Sequence, residues 1–175
     1  MNMPIWLIYG LLAAICFGTY AVISKVVTSA KYFGIQPSGA SLLMLGGITI
    51  VFLLYFLLRQ EMLSASLKLL GILLIAAILG YIIYASKQTG VHVSLSTLGL
   101  GLLQGILWAG GMVLVFMAFS IGAEAAKLVP IYNINTLIAV ILGLLLLHEV
   151  PAPDERLKVI IGAVLIVLGG ILVSR

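Results

Sequence analysis

The chain has 175 residues, of which 63% are hydrophobic and only 8% charged, and its net charge of +4 comes from nine Lys/Arg against five Asp/Glu. Average soluble domains are about 45–50% apolar and about 25% charged, so this composition excludes a soluble globular domain, and it equally excludes a disordered chain. Scattered single cations argue against nucleic-acid binding, and one cysteine, Cys16, excludes an internal disulfide framework, which leaves an all-α polytopic membrane protein.

A spanning helix needs about 20 mostly apolar residues, and the charges fall almost only between such runs. They delimit six spans in one transmembrane domain over 1–175: Ile5–Thr28, Gly39–Leu58, Lys68–Ser86, Leu98–Ile121, Ala125–Leu147 and Leu157–Ser174. The first run follows no basic segment and is too long for a leader's apolar core, so no cleavable signal peptide is expected. On a helical wheel at about 100° per residue, Gly10, Ala13, Ala14, Phe17, Gly18, Tyr20, Ala21, Ser24 and Lys25 share one arc. Leu11, Leu12, Ile15, Val22, Ile23, Val26 and Val27 make up most of the rest. Small and polar residues serve helix association in lipid, so the first set is expected to face protein and the second lipid.

Gly34 and Pro37 punctuate the first loop, and Arg59 and Glu61 the second. The third run, Lys68–Ser86, is apolar all round, which favours a spanning helix over a re-entrant or interfacial one. In the fourth, Gly101, Gln104, Gly105, Trp108, Ala109, Gly111, Met112, Phe116 and Phe119 are assigned to an inward face. A tight turn at Gly122–Ala123 leads into the fifth, where Tyr132, Asn133, Asn135, Thr136, Ala139 and Gly143 lie opposite Ile134, Leu137, Ile138, Ile141, Leu144 and Leu145. The last loop carries Glu149, Pro151, Pro153, Asp154 and Glu155.

Orientation by the positive-inside rule is nearly balanced. Arg59, Lys68, Lys127 and Arg175 fall on one side, and Lys25, Lys31, Lys87, Arg156 and Lys158 on the other. Either a weak signal sets one orientation, or both orientations are made and pair as an antiparallel dimer. A shift of 91 residues lays Gly10-Leu-Leu-Ala-Ala-Ile-Cys-Phe over Gly101-Leu-Leu-Gln-Gly-Ile-Leu-Trp, and Gly71 over Gly162. Three spans per repeat would make the halves inverted, a 3+3 arrangement.

From the fourth span onward the motifs Gly105-Ile-Leu-Trp-Ala-Gly-Gly, Met117-Ala-Phe-Ser-Ile-Gly-Ala, Ala125-Ala-Lys-Leu-Val-Pro-Ile-Tyr-Asn-Ile-Asn, Leu144-Leu-Leu-Leu-His-Glu and Ile161-Gly-Ala-Val-Leu-Ile-Val-Leu-Gly-Gly-Ile follow in order. With Phe17-Gly-Thr-Tyr and Lys25 in the first span, this series resembles the drug/metabolite transporter superfamily, in its EamA-like branch, over about two-thirds of the chain. The resemblance implies a secondary transporter or exporter of a small metabolite in a prokaryotic cytoplasmic membrane. Such proteins are typically ten helices in two five-helix repeats, and single-repeat members are thought to act as homodimers. This chain departs from that pattern by the extra span at Lys68–Ser86, which reverses the orientation of everything after it.

Each candidate residue has a functional and a plain structural reading. Lys25 is either a snorkelling interfacial lysine or a substrate-pairing charge at a cavity mouth. Pro130 removes a backbone bond and frees the carbonyl of Ala126. With Tyr132, Asn133 and Asn135 it reads as a broken-helix substrate site, or as a kink whose asparagines bond neighbouring helices. Gln104 and Trp108, one turn apart, either line a pocket with Tyr20 or make an interhelical bond and packing. Glu124 is expected to cap the fifth span, and His148 and His92 to be solvated loop residues; the resemblance implies that Glu149 closes the fifth span. No spacing matches a metal site, and no phosphate-binding loop occurs, so no cofactor and no ATP-driven step are expected. All five acids lie at span ends or in loops, which speaks against proton antiport through a mid-membrane carboxylate and for facilitated diffusion or exchange by alternating access. A non-transporting scaffold subunit is the alternative. A lipid-modifying enzyme ranks last, because no polar catalytic cluster is evident.

Overall fold

Helix ends in this chain are set by proline, serine and left-handed turns. In the computed structural model, which describes residues 3–59, 65–88 and 94–174, the described residues form seven helices and no strand. These are α1 (Ile5–Thr28), α2 (Pro37–Arg59), α3 (Ala65–Gln88), α4 (Leu95–Ser120), α5 (Ala125–Tyr132), α6 (Asn135–Leu146) and α7 (Pro153–Ser174). Pro4 precedes α1, and its carbonyl accepts from Leu7 N–H at 3.0 Å. Pro37 and Pro153 occupy first helical positions, where a missing N–H costs nothing. Asp154 and Glu155 then place negative charge at the positive end of the α7 dipole. Ser94 caps α4: its Oγ accepts from Thr97 N–H at 3.2 Å and lies 2.9 Å from the Thr97 hydroxyl. That cap starts α4 three residues before the expected Leu98.

At the other ends, Gly34 (φ 62°) and Gly122 (φ 89°) take left-handed conformations that only glycine adopts without strain. Gly34 N–H returns to the Ser29 carbonyl, and Ala123 N–H to Ala118. His148 takes the same conformation (φ 54°) after α6, and Glu149 N–H reaches back to the Gly143 carbonyl at 3.2 Å.

Among the described residues, five stretches are long and apolar enough to cross a membrane: Ile5–Thr28, Pro37–Arg59, Leu95–Ser120, Ala125–Leu146 and Pro153–Val173. Ala65–Tyr81 of α3 is a shorter apolar stretch. The protein is an all-helical, multi-pass membrane protein. The expected single spanning helix over Ala125–Leu147 is instead two helices, α5 and α6, separated at Asn133–Ile134.

The chain divides into two compact units, Met1–Val22 with Gly110–Arg175, and Ile23–Ala109. In the first, glycines of α1 receive the interrupted fifth span. Gly10 faces Leu128 and Ile131, and Gly18 faces Ile138 and the Asn135 carbonyl. Gly111 of α4 receives the Phe17 ring, and Gly170 of α7 receives Ile134. Ala13, Ala14, Phe17, Val115, Ala118, Leu128 and Ile131 are buried. The second unit has a core of Val27, Ile35, Ala40 and Leu43, with Ile78 and Leu98 packed against it. There Gly47 and Gly105 bring the backbones of α2 and α4 together: a Cβ on Gly47 would meet the Leu102 carbonyl, and one on Gly105 the Met44 carbonyl.

Assignments shift on three of the helical wheels. Val27 is fully buried although assigned to lipid, because the loop after α1 folds back: Ile35 N–H bonds the Val27 carbonyl at 3.0 Å and the Ile35 side chain covers it. Val22 is buried as well, and Lys25 and Ala21 are exposed. On α4 the buried stripe is Gly111, Val115 and Ala118, while Phe116 and Phe119 point outward. The Phe17 ring seated on Gly111 selects that i, i+4, i+7 row, one residue away from the expected one. Ile134 and Ile138, assigned to lipid, pack on Gly170 and Gly18, whose missing side chains leave room for them.

Candidate functional site

The break in the fifth span follows from local bonding. Pro130 sits inside α5 and has no N–H to offer Ala126. Two residues past it the helix ends: Asn133 N–H bonds the Val129 carbonyl at 3.1 Å, while Ile134 N–H turns back to Ile131 at 3.2 Å. Tighter i+3 bonds continue from Thr136 N–H to Asn133 (3.2 Å) and from Leu137 N–H to Ile134 (2.9 Å). The Thr136 hydroxyl also donates to the Asn133 carbonyl at 3.0 Å. The break thus satisfies much of its own backbone, and it falls midway along Ala125–Leu146.

Four candidate residues come together here. Pro130 and Tyr132 are half-buried, Asn133 is exposed and Asn135 is partly buried. The Tyr132 ring meets Phe17 edge-on, with centroids 5.9 Å apart and planes at 75°, a favoured aromatic geometry. Asn135 Oδ1 is buried without a hydrogen-bond partner. Tyr20, two residues beyond Gly18 on α1, is half-buried in the same unit.

The other candidates belong to the second unit. Gln104 is buried, and both ends of its amide are engaged: Oε1 accepts from Ser24 Oγ at 3.0 Å, and Nε2 donates to the Ala40 carbonyl at 2.8 Å. One side chain therefore ties α1, α2 and α4 together. Trp108, a turn further on, is half-buried. Lys25 is exposed in the last turn of α1, where a cation suits the negative end of the helix dipole. Ser24 shares the small-residue arc of the first span with Gln104's partner role unassigned in the sequence. Its position on that arc was the signal available for it.

Glu124 occupies the N-cap position of α5 with extended backbone (φ −75°, ψ 132°), but its side chain makes no capping bond. It pairs instead with Lys127 at 3.4 Å, and both side chains are well exposed. His148 and Glu149 are exposed after α6; His92 lies outside the described residues. Among the described residues no three His, Cys, Asp or Glu side chains group as metal ligands do. No family model, curated protein or solved structure matches the chain.

Proposed function

We propose that this chain is a secondary transporter or exporter of a small metabolite, working by alternating access as a facilitator or exchanger. The observation that carries this reading is the break at Asn133–Ile134, which sets two asparagines and a tyrosine at the middle of an otherwise apolar span. Irregular backbone at membrane depth is stable only where protein buries it or where it lines a cavity, and transporters place binding sites at such breaks. The EamA-like resemblance, a homodimer (antiparallel in the dual-topology case), the 3+3 inverted repeat and the prokaryotic cytoplasmic membrane belong to the same proposal. The substrate-contacting set in the first unit is Tyr20, Tyr132, Asn133 and Asn135; Lys25, Gln104 and Trp108 are separate candidates within the second unit. The engaged amide of Gln104 supports a bracing role for that residue.

The test is counterflow in proteoliposomes loaded with a panel of radiolabelled sugars, amino acids, nicotinamide and nucleosides. Saturable exchange of at least one solute, reduced at least fivefold by Asn133→Leu, is expected. Absence of saturable exchange would overturn the proposal, and undiminished exchange in the variant would remove the site.

A second reading, a non-transporting assembly subunit, draws on the direct backbone packing at Gly47 and Gly105. Stable co-purification with a larger membrane protein, without counterflow, would favour it.

A further inference from the structure

Asn135 opens α6 at mid-span, with its backbone carbonyl against Gly18. Its Oδ1 is the one buried side-chain polar atom without a hydrogen-bond partner among the described residues. Elsewhere in the spans, several polar side chains have partners. Ser24 and Gln104 bond each other, and Thr28, Ser41, Thr49, Ser120 and Thr136 donate to carbonyls of their own chain segments. An amide oxygen held in apolar surroundings is a costly acceptor until a donor reaches it.

The charge map limits what that donor can be. Glu124 precedes α5, Glu149 follows α6, and Asp154 and Glu155 lie in the first turn of α7. Glu61, the fifth acid, falls between the second and third apolar runs of the sequence. A cationic solute drawn to mid-membrane would meet no counter-charge there, and burying an unpaired charge is strongly unfavourable. An anionic group would face an acceptor oxygen. A neutral N–H or O–H meets neither penalty.

We propose that the break between α5 and α6 binds an uncharged solute through an N–H or O–H group donated to Asn135 Oδ1, with the Tyr132 ring supplying apolar surface beside it. This rests on the transporter reading and names the class of its cargo.

The test is thermal unfolding of the purified protein in detergent, titrated with probes matched in shape but not in charge. Nicotinamide is paired with the 1-methylnicotinamide cation, and 3,3-dimethyl-1-butanol with choline; erythritol is a third neutral donor. A saturable rise of a few degrees is expected with at least one neutral probe and with neither cation, and it should vanish in Asn135→Leu. In Asn135→Asp, which supplies a counter-charge, the preference should turn toward the cations. That variant carries the test should Asn135→Leu fail to fold. Stabilisation by no neutral probe, equal stabilisation by the cations, persistence in Asn135→Leu or an unchanged preference in Asn135→Asp would each overturn the proposal. Neutral-probe stabilisation without counterflow would end the transporter reading and leave this binding class standing. Counterflow unaltered in Asn135→Leu would do the reverse.

Discussion

Replacing Gln104 by leucine tests a polar side chain of the second unit that is engaged at both ends. The change keeps roughly the same size but removes the bond from Ser24 (3.0 Å) and the bond to Ala40 (2.8 Å) at a position only 2% exposed. Interhelical hydrogen bonds in membrane proteins contribute about 0.6 kcal/mol on average and at most about 1.7 kcal/mol in measured cycles. Two of them therefore predict a loss of about 1–3 kcal/mol. Ser24→Ala removes only the first bond and should cost about 0.6–1.7 kcal/mol. Because the two side chains touch, the double variant should be less destabilised than the sum, by a coupling of about 0.5 kcal/mol or more. Reversible unfolding in mixed micelles, or steric trapping in bicelles, measures all four corners of the cycle. Strict additivity would refute the hydrogen bond between them. A Gln104→Leu variant as stable as the parent would refute the brace altogether.

Gly105→Ala and Gly47→Ala place a Cβ against opposing backbone that cannot swing aside, so each should cost about 1–3 kcal/mol or more in the same unfolding assay. Gly162→Ala meets nothing within 4 Å and should be neutral or stabilise α7 by up to about 1 kcal/mol. His148→Gly relieves a left-handed residue after α6 and should raise stability by about 1 kcal/mol, read as a higher unfolding midpoint. Pro130→Ala restores an N–H for the Ala126 carbonyl. Amide hydrogen exchange around 130–136 should slow in that variant, and unchanged exchange would show that the break does not depend on the proline.

Much of this protein was legible from the chain alone. The membrane class and the existence of the helices follow from apolar run length and from where charges sit, because lipid leaves the backbone no alternative to internal hydrogen bonding. The glycine-rich face of α1 was also visible, since Gly10 and Gly18 recur on one side of a helix and close packing requires small residues there. The proline made an interruption of the fifth span one of two readings. Its location at Asn133–Ile134 depended on i+3 bonds formed past the proline, which no single residue announces.

The finer assignment of faces needed tertiary structure. A wheel treats a helix as an isolated cylinder, yet which row of α4 is buried was decided by the Phe17 ring settling on Gly111. Val27 became core only because the following loop turned back over it. Gln104 and Asn135 are both amides in apolar helices, and sequence could not tell them apart. Folding gave Gln104 partners at both ends and left Asn135 Oδ1 without one. Composition and periodicity thus determined that the chain folds as spanning helices. Partner geometry, which depends on contacts distant in sequence, decided that the Gln104 amide braces three helices and that, among the described residues, the buried Asn135 Oδ1 has no partner.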